Sequence, residues 1–225
     1  MLIFVVFFGF YVGGWHSSRI DLLDPHRLFR ITQQSISFLA ILPALIAVLL
    51  FSHEFRYNLA SYSLTISKSR SRVLVAKFIV VSIIALVSTG LVGVLSPLLA
   101  LAGMDANHLH IVHQSYYFVN IVWRGLFYGW GYSIIGLVIA MLVREQIGAL
   151  VTLLIFPTLV EGLLSIWLTS NTVYLPFSAL HSELGVGLNV AKTNLSPINS
   201  LYVFLGYVIV GSIIGWILFL RRDAA

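Results

Sequence analysis

Long apolar runs, separated by short polar segments, constrain the fold of this chain more than any other sequence feature. Runs of about 20 residues have the length that a helix needs to cross a hydrocarbon core of about 30 Å. The 225 residues are 59% hydrophobic and only 9% charged, and their mean hydropathy is +0.98. These values exclude a soluble globular domain and predict an all-α, polytopic protein of the lipid bilayer.

The runs predict six transmembrane helices in a single domain that covers residues 1–225. The predicted spans are 1–15, 35–51, 78–102, 118–143, 147–168 and 199–220. The first run is short for a span, because fifteen helical residues cover about 22 Å. Pro43 lies inside the second run, where we expect it to kink the helix.

A polar stretch, residues 53–77, interrupts the apolar runs between the second and third predicted spans. Apolar residues recur there at steps of four, three and four, which is the repeat of one helix face. These residues are Phe55, Leu59, Tyr62 and Ile66. A basic cluster from Lys68 to Lys77 follows. An amphipathic helix next to such a cluster, flanked by two spans, is typical of the cytoplasmic surface of a membrane protein.

The distribution of Lys and Arg predicts the orientation, because cytoplasmic loops carry the excess of these residues. One side has eight of them: Arg56, Lys68, Arg70, Arg72, Lys77, Arg144, Arg221 and Arg222. The other side has five: Arg19, Arg27, Arg30, Arg124 and Lys192. Both termini are therefore predicted to be cytoplasmic. The net charge of +5 lies mostly in these loops and does not favour binding to nucleic acid.

Motifs of enzymatic chemistry do not occur in the sequence. The pattern G-x-x-x-x-G-K-[ST] is missing, so we expect this chain not to bind and hydrolyse ATP by a P-loop. Lys192 and Thr193 lack the glycine that this motif requires before the lysine. Tyr57 stands where a second zinc-binding histidine would follow His53-Glu54. We expect neither a catalytic residue nor a cofactor site in this chain.

A histidine cluster in the loop after the third span is the best metal candidate. His108, His110 and His113 offer imidazole nitrogens, which borderline divalent ions favour. The alternative is an outer loop that is rich in interfacial polar residues, with Asp105 as its acidic neighbour. We favour the second interpretation, so no metal site is predicted.

Three pairs of glycines recur at a spacing of four residues inside the apolar runs. This spacing places both glycines on one helix face and lets helices approach closely. The pairs are Gly9 and Gly13, Gly125 and Gly129, and Gly211 and Gly215. Packing inside one subunit is favoured over a dedicated dimer contact.

The loop before the last span, residues 169–197, is too apolar for a segment in water. Its stretch Tyr174, Leu175, Pro176 and Phe177 is typical of a helix start, with proline near the first turn. Short helices that dip back into the outer leaflet would need such residues, provided that protein covers their backbone. We favour this outer re-entrant hairpin over an amphipathic helix on the surface.

Glu161 lies within the fifth predicted span, where a carboxylate costs about 2.5–3.5 kcal/mol even on insertion scales. It therefore needs a partner or a function. One hypothesis is structural: Glu161 pairs with Arg124 on the fourth span or caps the backbone of the re-entrant hairpin. The alternative is functional: Glu161 faces a cavity between subunits as a polar contact for the substrate or a gate.

Several segments together resemble permease subunits of ABC-2 type exporters. In the first half these are Glu54-Phe55-Arg56 and the run from Ser69 to Lys77. In the second half they are Arg144 to Ala149, Glu161 to Leu164 and Tyr174 to Ser178. The similarity lies in the order and spacing of these segments over nearly the whole chain.

The resemblance implies a six-helix permease of the bacterial cytoplasmic membrane that forms a homodimer or a related heterodimer. A separate P-loop ATPase subunit would bind ATP and Mg and drive export of a drug, lipid or peptide. The segment from Glu54 to Ile66 would be the coupling helix that contacts this ATPase. Its interface residues would be Glu54, Phe55, Arg56, Tyr57, Leu59, Tyr62 and Ile66.

Two other functions stay open from the sequence. The chain could be a membrane assembly or sensor subunit whose polar stretch docks a soluble partner without transport. An ion-coupled secondary transporter is weaker, because such proteins usually carry several intramembrane charges and here Glu161 is nearly alone.

Overall fold

The computed structural model describes residues 2–15, 26–56, 70–108, 118–143, 145–168, 171–185 and 196–221. Their regular structure is helical, and no strand occurs among them. The first half contains α1 (Leu2–Val6), which continues as a π-helix (Phe7–Trp15), α2 (Arg27–Leu39), α3 (Ile41–Arg56) and α4 (Arg70–Ala106). The second half contains α5 (Phe118–Val143), α6 (Gln146–Ile155), a π-helical turn (Phe156–Val160), α7 (Glu161–Leu168), a 3-10 helix (Thr172–Tyr174), α8 (Pro176–Leu184) and α9 (Pro197–Arg221).

Helix α5 is the centre of the bundle. It contacts α2, α3, α4, α6, α8 and α9. In the most apolar stretch of α5, 67% of the residues are buried. In the corresponding stretch of the last helix only 17% are buried. The largest buried side chains of α5 include Tyr128, Ile134, Leu137 and Met141. A helix that is apolar on all sides can be surrounded in this way, because each of its faces finds another helix.

Five helices of the described residues are long and apolar enough to cross a membrane. They cover Leu28–His53, Ser71–Ala106, Val119–Val143, Gln146–Leu168 and Ile198–Leu218. For the described residues, the expectation of an all-helical protein with several span-length helices is confirmed. The first predicted span is a shorter apolar helix, Ile3–Trp15. The count of six spans therefore stays a prediction.

The second predicted span begins earlier than the sequence suggested. Helix α2 begins at Arg27, inside the segment 16–34 that lies between the first two predicted spans. The hydroxyl of Thr32 donates to the carbonyl of Leu28 at 2.9 Å, and that of Ser35 donates to Ile31 at 2.9 Å. Polar side chains that bond to the preceding turn can be buried inside a helix. The polar residues from Arg27 to Gln34 therefore belong to a helix.

The break in this span also differs from the expected kink at Pro43. Helix α2 ends at Leu39 and α3 begins at Ile41, so Pro43 lies in the first turn of a new helix. The missing N–H of proline has no cost there, because first-turn N–H groups lack partners within the helix. Pro97, in contrast, lies inside the continuous α4.

Lys77 connects the third predicted span to the second. Its Nζ donates to the carbonyl of Leu50 at 3.2 Å and lies 4.7 Å from the ring centroid of Phe51. A cation over an aromatic face adds to a charge-assisted hydrogen bond. Lys77, which the sequence assigned to a basic surface cluster, is buried between α3 and α4.

The three glycine pairs pack inside this chain. A Cβ on Gly9 would stand 3.0 Å from Leu99 Cβ, and one on Gly125 would stand 2.6 Å from Ile36 Cδ1. The pair on α9 meets α5 at Val138 and Met141. The expected close approach of helices within one subunit is present at each pair.

Candidate functional site

Helix α8 is a nine-residue helix that lies in the sequence between the last two span-length helices and packs into the bundle. It contacts α5, α9 and α2. The apolar residues on its inner face are buried, namely Phe177, Ala179, Leu180 and Leu184. Because a short helix is marginal by itself in water, the contacts that hold α8 decide where it lies.

The N-terminus of α8 is capped by a residue of α7, the α-helix that precedes it in the sequence. Leu175 stands at the local cap position and gives no side-chain hydrogen bond, so the first N–H groups need another acceptor. The carboxylate of Glu161 accepts the N–H of Phe177 at 2.7 Å and the N–H of Ser178 at 2.8 Å. It also accepts the hydroxyl of Ser178 at 2.8 Å. A negative charge at this end also complements the helix dipole.

A π-helical turn determines the direction of Glu161. Pro157 has no N–H to give to the helix, and the chain forms a π turn from Phe156 to Val160. The N–H of Glu161 consequently bonds to the carbonyl of Phe156, five residues earlier. The wider turn rotates the residues that follow it. Glu161 is only 4% exposed, although the helix that carries it is mostly exposed.

The C-terminus of α8 is held by α2 and α5. Gly185 has φ 81°, and its N–H bonds to the carbonyls of His181 and Ser182. The side-chain amide of Gln33 donates to the carbonyl of Leu184 at 2.7 Å. The Nη1 atom of Arg124 lies 4.0 Å from where a Cβ on Gly185 would stand. A cation beside the carbonyl end also fits the helix dipole.

A chain of hydrogen bonds joins the middle of α8 to α5 and α2. His181 Nδ1 lies 2.6 Å from the carbonyl oxygen of Phe177, and its Nε2 lies 3.1 Å from the hydroxyl of Tyr128. That hydroxyl lies 3.4 Å from the hydroxyl of Ser37. A carbonyl only accepts, so Nδ1 carries a proton and the neutral imidazole accepts at Nε2. Tyr128 therefore donates to His181 and accepts from Ser37.

Aromatic rings surround the same helix. Phe177 packs edge-on against Tyr132, with ring centroids 5.1 Å apart, and lies 6.0 Å from Phe156 in the π turn. The imidazole of His181 meets the ring of Tyr128 edge-on at 5.5 Å. Such pairs contribute about 0.5–1.5 kcal/mol each beyond their buried area. The start of α8 is therefore in contact with the π turn that directs Glu161.

Gln33→Ala is expected to lower the free energy of unfolding by about 1–3 kcal/mol, because the carbonyl of Leu184 would lose its donor. Gln34 is the matched control, since it carries the same side chain one residue later and is exposed. Denaturant unfolding of the purified protein in detergent measures both variants. Equal losses for Gln33→Ala and Gln34→Ala would contradict the assigned contact.

Glu161 and Arg124, proposed from the sequence as possible partners, lie at opposite ends of α8. In the described part of the chain no ion pair joins them, and the carboxylate bonds to Phe177 and Ser178 instead. A nine-residue helix is about 13 Å long, so charged groups at its two ends are too far apart for a direct contact. The two charges face the two ends of the same helix rather than each other.

The other predicted site residues lie in several places. Tyr174 is half exposed in the 3-10 helix, Leu175 and Pro176 begin α8, and Phe177 is buried. For the coupling segment, the backbone of Glu54, Phe55 and Arg56 forms the end of α3. Tyr57, Leu59, Tyr62 and Ile66 lie outside the described residues, as do His110 and His113. His108 is exposed at φ 55°.

Sequence reasoning missed His181, Tyr128 and Gln33. No local pattern marks them, because their partners are 53, 91 and 151 residues away. A histidine in an otherwise apolar loop was the signal that could have drawn attention to His181. Over the described residues, no group of three or more His, Cys, Asp or Glu side chains could hold a metal ion.

An apolar groove of about 410 Å³ lies between α4 and α5, away from α8. Its lining residues are Leu86, Trp123, Leu126, Phe127 and Trp130. The indole N–H of Trp130 donates to the hydroxyl of Ser82 at 3.0 Å. The groove offers contact area and no charged group. The groove therefore lacks charged side chains such as those at the two ends of α8.

Comparison with known proteins adds no relative to this description. No family model matches the chain, no curated protein matches it, and no solved structure matches it. The helix α8 and the contacts that hold it are therefore the observations from which function is inferred.

Proposed function

We propose that this chain is the membrane-spanning permease subunit of an ATP-binding-cassette exporter of the ABC-2 type. A separate cytoplasmic P-loop ATPase binds ATP and Mg and hydrolyses the nucleotide, and this chain catalyses no reaction itself. Two permease copies, identical or related, form the transport path in a bacterial cytoplasmic membrane. Both termini lie in the cytoplasm, and the cargo is a drug, lipid or peptide.

The observation that carries this proposal is α8, held inside the bundle just before the last span-length helix. The apolar residues of this loop predict an outer re-entrant hairpin. The 3-10 helix and α8 are two short helical segments of the loop, and α8 packs against α5 and α9. A loop that only connected two spans would not require a buried carboxylate to cap it.

The helix contacts suggest how a movement driven by the ATPase would be transmitted to α8. Residues 57–69 connect the end of α3 to the start of α4, and both of these helices contact α5. Helix α5 in turn contacts α8. A displacement of the predicted coupling segment would therefore reach α8 through α3 or α4 and then through α5.

Purification of the tagged chain from its source membrane should recover a P-loop ATPase. The stripe of Phe55, Leu59, Tyr62 and Ile66 is expected to contact it. Loss of one such side chain costs roughly 1.5–3 kcal/mol, which is about tenfold or more in affinity. Tyr62→Ala should therefore reduce the recovered ATPase at least about tenfold.

Leu64→Ala is the matched control, because a position two residues along lies on nearly the opposite face of a helix. We expect it to leave ATPase recovery unchanged. Recovery of a soluble partner without a P-loop would replace the exporter with the assembly or sensor function. Equal recovery with Tyr62→Ala and the unchanged chain would show that this face does not contact the ATPase.

A further inference from the structure

Among the described residues, a hydrogen bond between His181 and Tyr128 joins the middle of α8 to α5, and its direction depends on a proton. The hydroxyl of Tyr128 donates to His181 Nε2 at 3.1 Å. Nε2 is free to accept only while the imidazole is neutral, because Nδ1 gives its proton to the carbonyl of Phe177. Tyr128 is fully buried and His181 is half-buried.

We infer that the bond between Tyr128 and His181 is a proton-operated latch, which holds α8 against α5 while His181 is neutral and releases it when His181 is protonated. This inference does not depend on an ATPase partner. It concerns only the movement of α8. The experiment that tests for an ATPase partner and the experiment that tests the latch can therefore give negative results independently of each other.

Protonation changes both the hydrogen bonds and the charge. A protonated imidazole donates at both nitrogens, so Tyr128 must turn its proton toward Ser37, at 3.4 Å the longer of its two contacts. A cation would then lie among buried apolar side chains, which is costly unless it is paired. Movement of α8 away from α5 gives the imidazolium access to water.

The surroundings of His181 offer it no free carboxylate among the described side chains. Glu161 on α7 already accepts three hydrogen bonds from Phe177 and Ser178. Glu183 lies two residues after His181 on α8. The other titratable or charged residues on the packed helices are Arg124, Tyr128 and Tyr132 on α5, Arg27 and Arg30 on α2, Tyr174 in the 3-10 helix, and Tyr202, Tyr207 and Arg221 on α9.

Burial lowers the pKa of His181 from its ordinary value of 6.5, and the hydrogen bond to the carbonyl of Phe177 opposes this shift. The released helix therefore binds the proton more strongly than the latched helix. The latch is at full strength above the ordinary pKa and weakens as the pH falls below it toward the lowered pKa. One proton changes the latch equilibrium by at most about tenfold per pH unit.

The chain has no cysteine, so a single introduced thiol reports on α8 without background. Ala179 is 0% exposed in α8, so a thiol introduced by Ala179→Cys should react with a water-soluble pyridyl disulfide only when α8 moves. Asn171→Cys, at an exposed position, corrects for the pH dependence of the reagent. Ala140→Cys, 0% exposed in α5, reports any general loosening of the bundle.

We expect the reactivity at Ala179→Cys, divided by that at Asn171→Cys, to rise up to about tenfold per pH unit below about pH 6.5. His181→Gln, which cannot be protonated, should make this ratio independent of pH. Tyr128→Phe should raise the ratio already at neutral pH, because the donor is lost. The latch is refuted by an unchanged slope in His181→Gln, by a ratio that stays flat in the parent chain, by an unaltered ratio in Tyr128→Phe, or by a parallel rise at Ala140→Cys.

Discussion

Replacement of Glu161 by alanine is expected to lower the free energy of unfolding by about 2–6 kcal/mol. The variant leaves the N–H groups of Phe177 and Ser178 without their acceptor, and each buried orphan donor costs about 1–3 kcal/mol. Removal of a buried charge also relieves its desolvation cost, which favours the lower half of this range. Denaturant unfolding in detergent, followed by tryptophan fluorescence, measures the change.

Glu145→Ala is the control, because it removes the same side chain from an exposed position with no cap hydrogen bond. We expect its effect to stay within about 0.5 kcal/mol. Glu161→Gln should lie between the parent and Glu161→Ala. Its amide oxygen can accept one N–H, whereas its NH₂ group meets a second donor at α8.

The same variants separate a structural role of Glu161 from a role in transport. A stability loss in Glu161→Ala, with Glu145→Ala unchanged, indicates that the carboxylate holds α8. Unchanged stability in Glu161→Gln, together with loss of substrate-stimulated ATP hydrolysis in the complex, would instead place Glu161 in the transport path. That result would contradict the structural role.

Gly103→Ala is expected to displace the first helix from α4 at a cost of about 1–3 kcal/mol, the usual range for overpacking. A Cβ on Gly103 would collide with the carbonyl oxygen of Phe10, and it would lie 3.0 Å from Gly14 Cα and 3.0 Å from Trp15 N. These are backbone atoms, which cannot swing aside as the end of a flexible side chain can. The same unfolding assay measures the loss.

Gly206→Ala is the matched control for this substitution. Gly206 is also helical, but no atom lies within 4 Å of its added Cβ. Alanine is the better helix former by about 1 kcal/mol, so we expect this variant to be neutral or slightly more stable. If Gly103→Ala were as stable as Gly206→Ala, the first helix would not pack closely against α4.

Helices α2 and α8 show what sequence patterns can predict in this protein and what they cannot. The sequence predicts that the polar residues 27–34 lie outside the second span. Thr32 and Gln33 are nevertheless buried in α2, because their side chains donate hydrogen bonds to backbone carbonyls. The apolar loop before the last span contains the 3-10 helix and α8. Its pattern of apolar residues identified a need for burial but not the helices that would supply it.

Glu161 is a second example, in which the sequence predicts the need for a partner and the tertiary structure decides which partner it is. The cost of a carboxylate in an apolar span predicted from the sequence that this residue needs a partner or a function. Two structural partners were left open, Arg124 and the backbone of the following loop. The choice depended on the π turn at Pro157 and on the position of α8, neither of which a hydropathy pattern can reveal.

The sequence by itself determined that this is a helical protein with several spans, because composition and run length decide whether a helix is stable in hydrocarbon. Only the tertiary structure decided which polar groups meet. Glu161 bonds to a helix sixteen residues later, and Gln33 to a carbonyl 151 residues away. Such contacts follow from the packing of helices against α5, which brings distant residues together independently of any local pattern. The contacts of Glu161 and Gln33 with the two ends of α8, and the bond of His181 to Tyr128, are consequences of that packing.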